Sequence, residues 1–306
     1  MEKMLHLSVS PHTHCGRTTS GIMLDVLIAL LPATIAGIVI FGLEALLVVA
    51  VCVAACVGFE YLFNLIAKKE QTIGDYSAAV TGLLLGLNLP ATTPIWQCVI
   101  GALFAIVVVK CLFGGLGYNF VNPAITARVF MLVSFASVAA PAFPVDVKAG
   151  STPLVDLANG KNVELLDLLL GKHGGAIGET CSIALILGFL YLLFRDVISW
   201  EIPVSFIGSV FVFSLLMEGD AEKALALTLS GGLLLGAIFM ATDYVTSPTT
   251  PAGKLIFGLG CGLLTFLIRY FGSYPEGVSF AILIMNLVVP YIDKLTKHKV
   301  YGGKKA

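Results

Sequence analysis

Ten apolar runs separated by short polar turns leave this chain few folds to choose from. They fall at 22–42, 45–67, 76–89, 94–113, 124–141, 179–195, 202–217, 224–241, 254–271 and 277–293. A helix needs about 20 apolar residues to cross the hydrocarbon core of a bilayer, with a range of roughly 17 to 25. Backbone in lipid must also satisfy its own hydrogen bonds, which an α-helix does. Charged residues make up 12% of the 306 and hydrophobic residues 58%, where a soluble domain carries about 25% charged. A core of this size cannot hide that much apolar surface, so the excess has to face lipid. The expected class is an all-α polytopic membrane protein forming a single integral membrane domain over 1–306.

Charge sets the expected orientation. With ten spans and the amino terminus in the cytoplasm, 13 of the 18 Lys and Arg residues fall on the cytoplasmic side; the opposite arrangement inverts the positive-inside bias. Both termini are therefore expected inside. The first 20 residues are polar and show no apolar signal-peptide core, so the first span is expected to target the chain. A net charge of −1 with scattered Lys and Arg offers no face for nucleic acid. The seven cysteines, at 15, 52, 56, 98, 111, 181 and 261, form no CxxC pair. They read as small buried hydrophobes, without an iron–sulfur site in this chain. His12 and His14 in the tail are too sparse for a metal site.

A short motif occurs twice. GLLLG stands at 82–86 and at 232–236, followed by PATTP at 90–94 and SPTTP at 247–251. The copies lie five spans apart, and five is odd, so the two halves would have opposite topology. Inverted repeats with interrupted helices build proteins whose sites lie within the membrane.

The longest break, 142–178, carries seven charges, and VELLDLLLG at 163–171 suits a short interfacial helix. By the orientation above it faces away from the cytoplasm. Within it, VDVKAGSTPL (145–154) places Ser151 and Thr152 side by side before Pro153. From spacing alone, Thr152 is a helix N-cap with proline at the first helical position. A lone hydroxyl is too weak an acid to act as a nucleophile unaided.

The same loop resembles the flavinylation site of the family that joins the D subunits of Rnf complexes and the B subunits of sodium-pumping NADH:quinone reductases. That family carries Asp-x-x-Ser-Gly/Thr-Ala-Thr, usually followed by Pro-Leu. Here Asp146, Gly150, Thr152, Pro153 and Leu154 match, while Ala149 and Ser151 stand where the family has serine and alanine. SPHTHCGRTTSGIMLDVLIALLPA, GDYSAAVTGLLLGLNLP, YNFVNPAITARVF, GGAIGET and DYVTSPTTPAGK match further blocks, so the likeness spans about 7–295.

The resemblance implies a urea-transporter-like fold of two inverted five-helix repeats. It implies FMN esterified through its phosphate to Thr152 by a separate flavin transferase, with Asp146, Gly150, Ser151 and Pro153 around it. It also implies a second flavin, non-covalent riboflavin, at the interrupted helices. Candidates there are Asn88, Thr92 and Thr93, then Asn119 and Asn122, then Asp243 with Thr246 to Thr250; the last two sets are preferred because they fall on the cytoplasmic side. The implied activity is electron relay between ferredoxin and NAD within a complex of partner subunits A, B, C, E and G, coupled to Na+ or H+ transport across a bacterial or archaeal cytoplasmic membrane.

Of the carboxylates near the runs, Asp25, Glu44 and Asp75 sit at predicted ends. Glu60 and Glu179 are the better intramembrane candidates, and Glu179 reads as helix-dipole stabilised at the start of the sixth run. Lys110 and Arg128 could pair with flavin or phosphate oxygens, but are expected to snorkel to the surface. Two rivals remain. A solute transporter or channel of the same fold would be colourless with an open path; an enzyme using the outer loop would need a catalytic cluster near Thr152 beyond Asp146 and Asp156.

Overall fold

Every apolar run becomes helix, but not every helix is long. The computed structural model describes residues 17–145, 151–159, 163–272 and 277–297. α1 (Thr19–Phe41) starts at Thr18, whose side chain accepts from Gly21 N, and stops at Gly42. α2 (Leu43–Ile66) follows directly. α3 (Ser77–Leu87) ends at Asn88. α4 (Ile95–Leu103) passes into π-helical turns over Phe104–Cys111. α5 (Pro123–Ser134) is capped by the Asn122 side chain, which accepts from Ala124 N and Ile125 N at 3.0 and 3.3 Å, with Pro123 opening the first turn. α6 (Ala136–Ala139) is a single turn at the end of the fifth run, and the long break holds two short helices, α7 (Pro153–Ala158) and α8 (Leu165–Leu170). Then come α9 (Ser182–Phe194), α10 (Glu201–Glu218), α11 (Ala221–Leu229) and α12 (Leu233–Leu235), the last continuing as π-helix through Met240. α13 (Pro251–Phe271) and α14 (Val278–Thr296) complete the set. Among the described residues there is no strand, only an isolated bridge between Ala142 and Gly175.

Five helices are long and apolar enough to cross a membrane alone: α1, α2, α10, α13 and α14. α11 and α12 with its continuation qualify only together, bent by 64°. The remaining runs are shorter apolar helices, Ser77–Leu87, Ile95–Cys111, Pro123–Ser134 and Ser182–Phe194. The fifth run, expected to 141, leaves helix at Phe135 because the chain there turns extended.

Close backbone approach positions these pieces. α2 packs on α3 and α4, α10 on α13, α13 on α14, and α1 on α9. At the α1–α9 crossing, a Cβ on Gly188 would lie 2.4 Å from the Ala29 carbonyl oxygen, so only glycine permits the contact. The end of α3 is sealed by the loop before α9: Gly178 N donates to Leu87 O at 2.7 Å and Ile177 N to Leu89 O at 3.1 Å. Carbonyls that a helix end leaves orphaned thus find donors far along the chain.

Three polar expectations are corrected. Lys110 and Arg128 do not snorkel; they are 2% and 1% exposed. Both point inward because the helices carrying them turn those positions toward the other segments. Asp25 is also buried, receiving Tyr191 Oη at 2.9 Å and Arg195 Nε at 3.2 Å. Glu179 lies three residues ahead of α9, in the buried loop rather than on the helix.

Candidate functional site

Two chambers lie along α3 and α5, one toward each end of these helices. The first is lined by Ser77, Thr81 and Leu84 of α3, Asn119 and Asn122 at the start of α5, Lys110 of the π-helical segment, and Asp243. The second is lined by Arg128 of α5, Pro90 beyond α3, Ser151, Thr152, Pro153, His173 and Glu179. From Asn122 to Arg128 is six residues, about 9 Å at 1.5 Å per residue. The cavity volume is about 100 Å³ in the Asn122 chamber and about 180 Å³ in the Thr152 chamber, smaller than the roughly 300–1,000 Å³ of sites that enclose a whole small molecule.

The Thr152 chamber joins parts of the sequence that spacing keeps apart. Thr152 caps α7, its Oγ1 accepting from Val155 N at 3.4 Å, with Pro153 at the first helical position, as its local sequence requires. It is half-buried in the chamber wall rather than fully exposed. Neighbouring Ser151 is committed elsewhere: its Oγ donates to Asp156 Oδ1 at 2.5 Å. Among the described residues nothing accepts the Thr152 hydroxyl proton. Asp146 and Gly150 lie outside the described residues. Arg128 donates to Val138 O at 3.3 Å. Glu179 stands beside Gly232, where a Cβ would be 3.7 Å from its carboxyl carbon. His173 donates from Nδ1 to Gly174 O at 3.1 Å, while its buried Nε2 has no hydrogen-bond partner among the described residues. Burial pushes the His173 imidazole below its usual range, favouring the neutral ring. In donor chemistry rather than in closed volume, a reachable hydroxyl, the Arg128 guanidinium with the Glu179 carboxylate in the same wall, and the His173 imidazole nitrogen suit a phosphorylated heteroaromatic group such as FMN.

The Asn122 chamber brings together Asn119, Asn122 and Asp243, three of the residues expected there. Thr246 stands behind the wall, its hydroxyl donating to Asp243 Oδ2 at 2.9 Å. Burial raises the Asp243 carboxyl above the usual carboxylate range, opposed by the Thr246 hydroxyl and the Val245 and Tyr244 amides. Asn122 ties three broken segments: besides capping α5, its Nδ2 donates to Met240 O at 3.1 Å where the π-helix ends. Asn286 of α14 completes this knot, its amide oriented to donate to Thr246 O at 3.1 Å and to accept from Asn122 N at 3.2 Å. Asn88, Thr92 and Thr93 line neither chamber. Asn88 donates to Leu84 O and Thr93 to Pro90 O, so both finish a helix end.

Spacing alone set Lys110 at the surface and so missed the buried cation of this chamber. It pairs with Glu60 of α2 at 2.7 Å. The π-helical turns place it there: Leu112 N reaches back to Val107 O and Gly115 N to Lys110 O, each five residues away. The available signal was that Lys110 is the lone charge in the run 94–113.

The chain has extensive relatives. The model of the NQR2, RnfD, RnfE family matches residues 6–302. The D subunit of the Na+-translocating ferredoxin:NAD+ oxidoreductase complex of Acetobacterium woodii is 44% identical, covering 99% of this chain and 97% of that protein. The D subunit of the proton-translocating ferredoxin:NAD+ oxidoreductase complex of Clostridium ljungdahlii is 39% identical, over 98% and 96%. The D subunit of the ion-translocating oxidoreductase complex of Aeromonas salmonicida is 36% identical, over 99% and 100%.

Proposed function

The chain belongs to the NQR2, RnfD, RnfE family, and from that premise we propose that it is the D subunit of an ion-translocating ferredoxin:NAD+ oxidoreductase complex, carrying FMN as a phosphoester on Thr152. The observation that carries the attachment is the division of labour between two adjacent hydroxyls. Ser151 gives its proton to Asp156, whereas Thr152 faces the chamber with its proton uncommitted among the described residues. A bound flavin supplies one-electron chemistry, and the protein supplies placement and electrostatics. Thr152 anchors the group, Arg128 offers positive charge to phosphate or reduced ring, and His173 Nε2 offers a hydrogen-bond partner. The Asn122 chamber is assigned a non-covalent riboflavin, held by Asn119, Lys110 and Asp243. Six residues of α5 between the two chambers keep the electron step short.

The surrounding architecture is ten spans in two inverted five-helix halves of urea-transporter-like fold, the four shorter helices and the bent pair serving as spans beside the five long ones. Each half begins with a helix of the α1–α9 pair, continues with a long helix (α2 or α10), interrupts its third span and enters its fourth after a Thr-rich proline turn. Both termini face the cytoplasm and the Thr152 loop the outside. Subunits A, B, C, E and G complete the electron path, and a flavin transferase loads Thr152. Colour and a filled chamber separate this reading from a solute channel.

The test is a denaturing gel of the protein made together with its transferase and viewed under ultraviolet light. A fluorescent band is expected in the wild type and in Ser151→Ala, and none in Thr152→Ala. A band that survives Thr152→Ala, or a dark wild type beside an active transferase, refutes the attachment.

A further inference from the structure

Lys110 and Glu60 form an ion pair with side chains 3% and 2% exposed. Taking both charges out of water is costly, and such a pair is weak evidence of stability on its own. Within a membrane protein it asks for a function. The pair does not stand alone. Thr72 Oγ1 donates to Glu60 Oε1 at 2.5 Å, and Asn64 Nδ2 donates to Thr72 Oγ1 at 3.0 Å, which aims the threonine proton at the carboxylate. On its other side Lys110 donates to Ser77 Oγ at 2.6 Å, and Ser77 Oγ to Asp75 Oδ1 at 2.6 Å.

The network has two ends. Thr72 is exposed, on the turn between α2 and α3. Lys110 is in the wall of the Asn122 chamber. An ammonium has three N–H donors; Glu60 and Ser77 take two, leaving one for whatever the chamber holds.

We propose that Thr72, Glu60 and Lys110 form a proton relay from the aqueous surface into the Asn122 chamber, with Lys110 handing a proton to a redox-active heteroaromatic ligand as it receives an electron. The proposal rests on the reading that this chamber holds a non-covalent flavin. The balance is one electron and one proton. Lys110 Nζ releases H+ to a ring nitrogen as the electron arrives from the Thr152-bound flavin. Thr72 then passes its hydroxyl proton to Glu60 and takes one from water, and Glu60 returns the proton to Lys110. The pair ends as it began, and no net charge is left buried in the chamber.

Other titratable groups face this pair. Cys56 lies on α2, Cys111 adjoins Lys110, and Lys69 lies on the turn with Thr72; all are within electrostatic reach. Asp243 also lines the chamber.

The experiment uses the purified complex in lipid nanodiscs. Acid precipitation first measures non-covalent flavin per chain. Stopped-flow reduction in weak buffer then follows flavin absorbance for electron arrival and an indicator dye for proton uptake. Lys110→Arg keeps the charge and the Glu60 partner but cannot release a proton. Thr72→Val removes the entry hydroxyl at an exposed position. In the wild type, uptake is expected to keep pace with electron arrival. In Thr72→Val flavin content holds, and in both variants uptake per bound flavin slows by about 100-fold or more. Wild-type uptake in Lys110→Arg or in Thr72→Val overturns the relay, as does loss of uptake confined to Asp243→Asn. Absence of non-covalent flavin in the wild type overturns the chamber reading and the relay together; flavin present with unchanged uptake overturns the relay alone.

Discussion

At the scale of single residues, two helix ends depend on one asparagine. Asn122 caps α5 through its Oδ1 and bonds the Met240 carbonyl through its Nδ2. Losing an N-cap costs about 1 kcal/mol, and leaving a buried carbonyl unpaired costs about 1–3 kcal/mol. Asn122→Ala is therefore expected to destabilise by about 2–4 kcal/mol, lowering the thermal midpoint in detergent. It should also reduce acid-extractable flavin, because both chamber walls rest on that side chain. Asn122→Asp, which keeps the capping oxygen, should recover the cap but not the Met240 bond. An unchanged midpoint in Asn122→Ala would show the knot to be dispensable. The cap at Thr152 was legible in advance, since threonine before proline after a turn announces a helix start. The Lys110–Glu60 pair was not: its members stand 50 residues apart. Nor does local spacing place Arg128 in the same chamber wall as Thr152. An apolar run betrays which residue is odd, but only the packing says what it meets.

Helices here are defined as much by where they stop as by where they run. Hydropathy found all ten runs because lipid-facing and core-facing positions are both apolar. It could not find the 64° bend between α11 and α12 or the early end of α5, because such breaks answer to partners elsewhere in the chain. The crossing of α1 on α9 depends on an absent side chain. A Cβ at Gly188 would fall 2.4 Å from Ala29 O and 2.8 Å from Phe239 Cζ. The carbonyl cannot move aside without unwinding α1, so the helices must separate. Gly188→Val is expected to cost about 1–3 kcal/mol by overpacking, seen as a lower thermal midpoint. Gly208→Ala, where a Cβ would meet nothing within 4 Å, should leave the midpoint unchanged. Equal losses at the two positions would mean that any side chain added to these helices, not the crossing, sets the loss.

For the molecule as a whole, two chambers toward opposite ends of α5 have meaning only relative to the membrane. In the proposed orientation, 13 of the 18 Lys and Arg residues fall on the side shared by the termini and the Asn122 chamber. Arg17 meets Asp196 there, and Lys254 meets Ser199. On the other side, Arg269 folds back onto the Leu227 and Ser230 carbonyls. The positive-inside bias therefore favours the Thr152 chamber outside and the Asn122 chamber toward the cytoplasm, so that protons for the second chamber enter at Thr72 from the cytoplasmic side. Cysteine labelling reads this directly, on a background with the native cysteines replaced. Asn159 and Lys297 are both exposed, one just past α7 and one just past α14. A membrane-impermeant maleimide is expected to label Asn159→Cys in intact cells and Lys297→Cys only after permeabilisation. The reverse pattern would invert the protein and move the Thr72 entry to the outside. Labelling of both in intact cells would place an even number of crossings between the two positions. The inverted arrangement requires an odd number there, since the second half of the chain must end on the side opposite to where it begins; that outcome would break the architecture and the chamber assignment that depends on it.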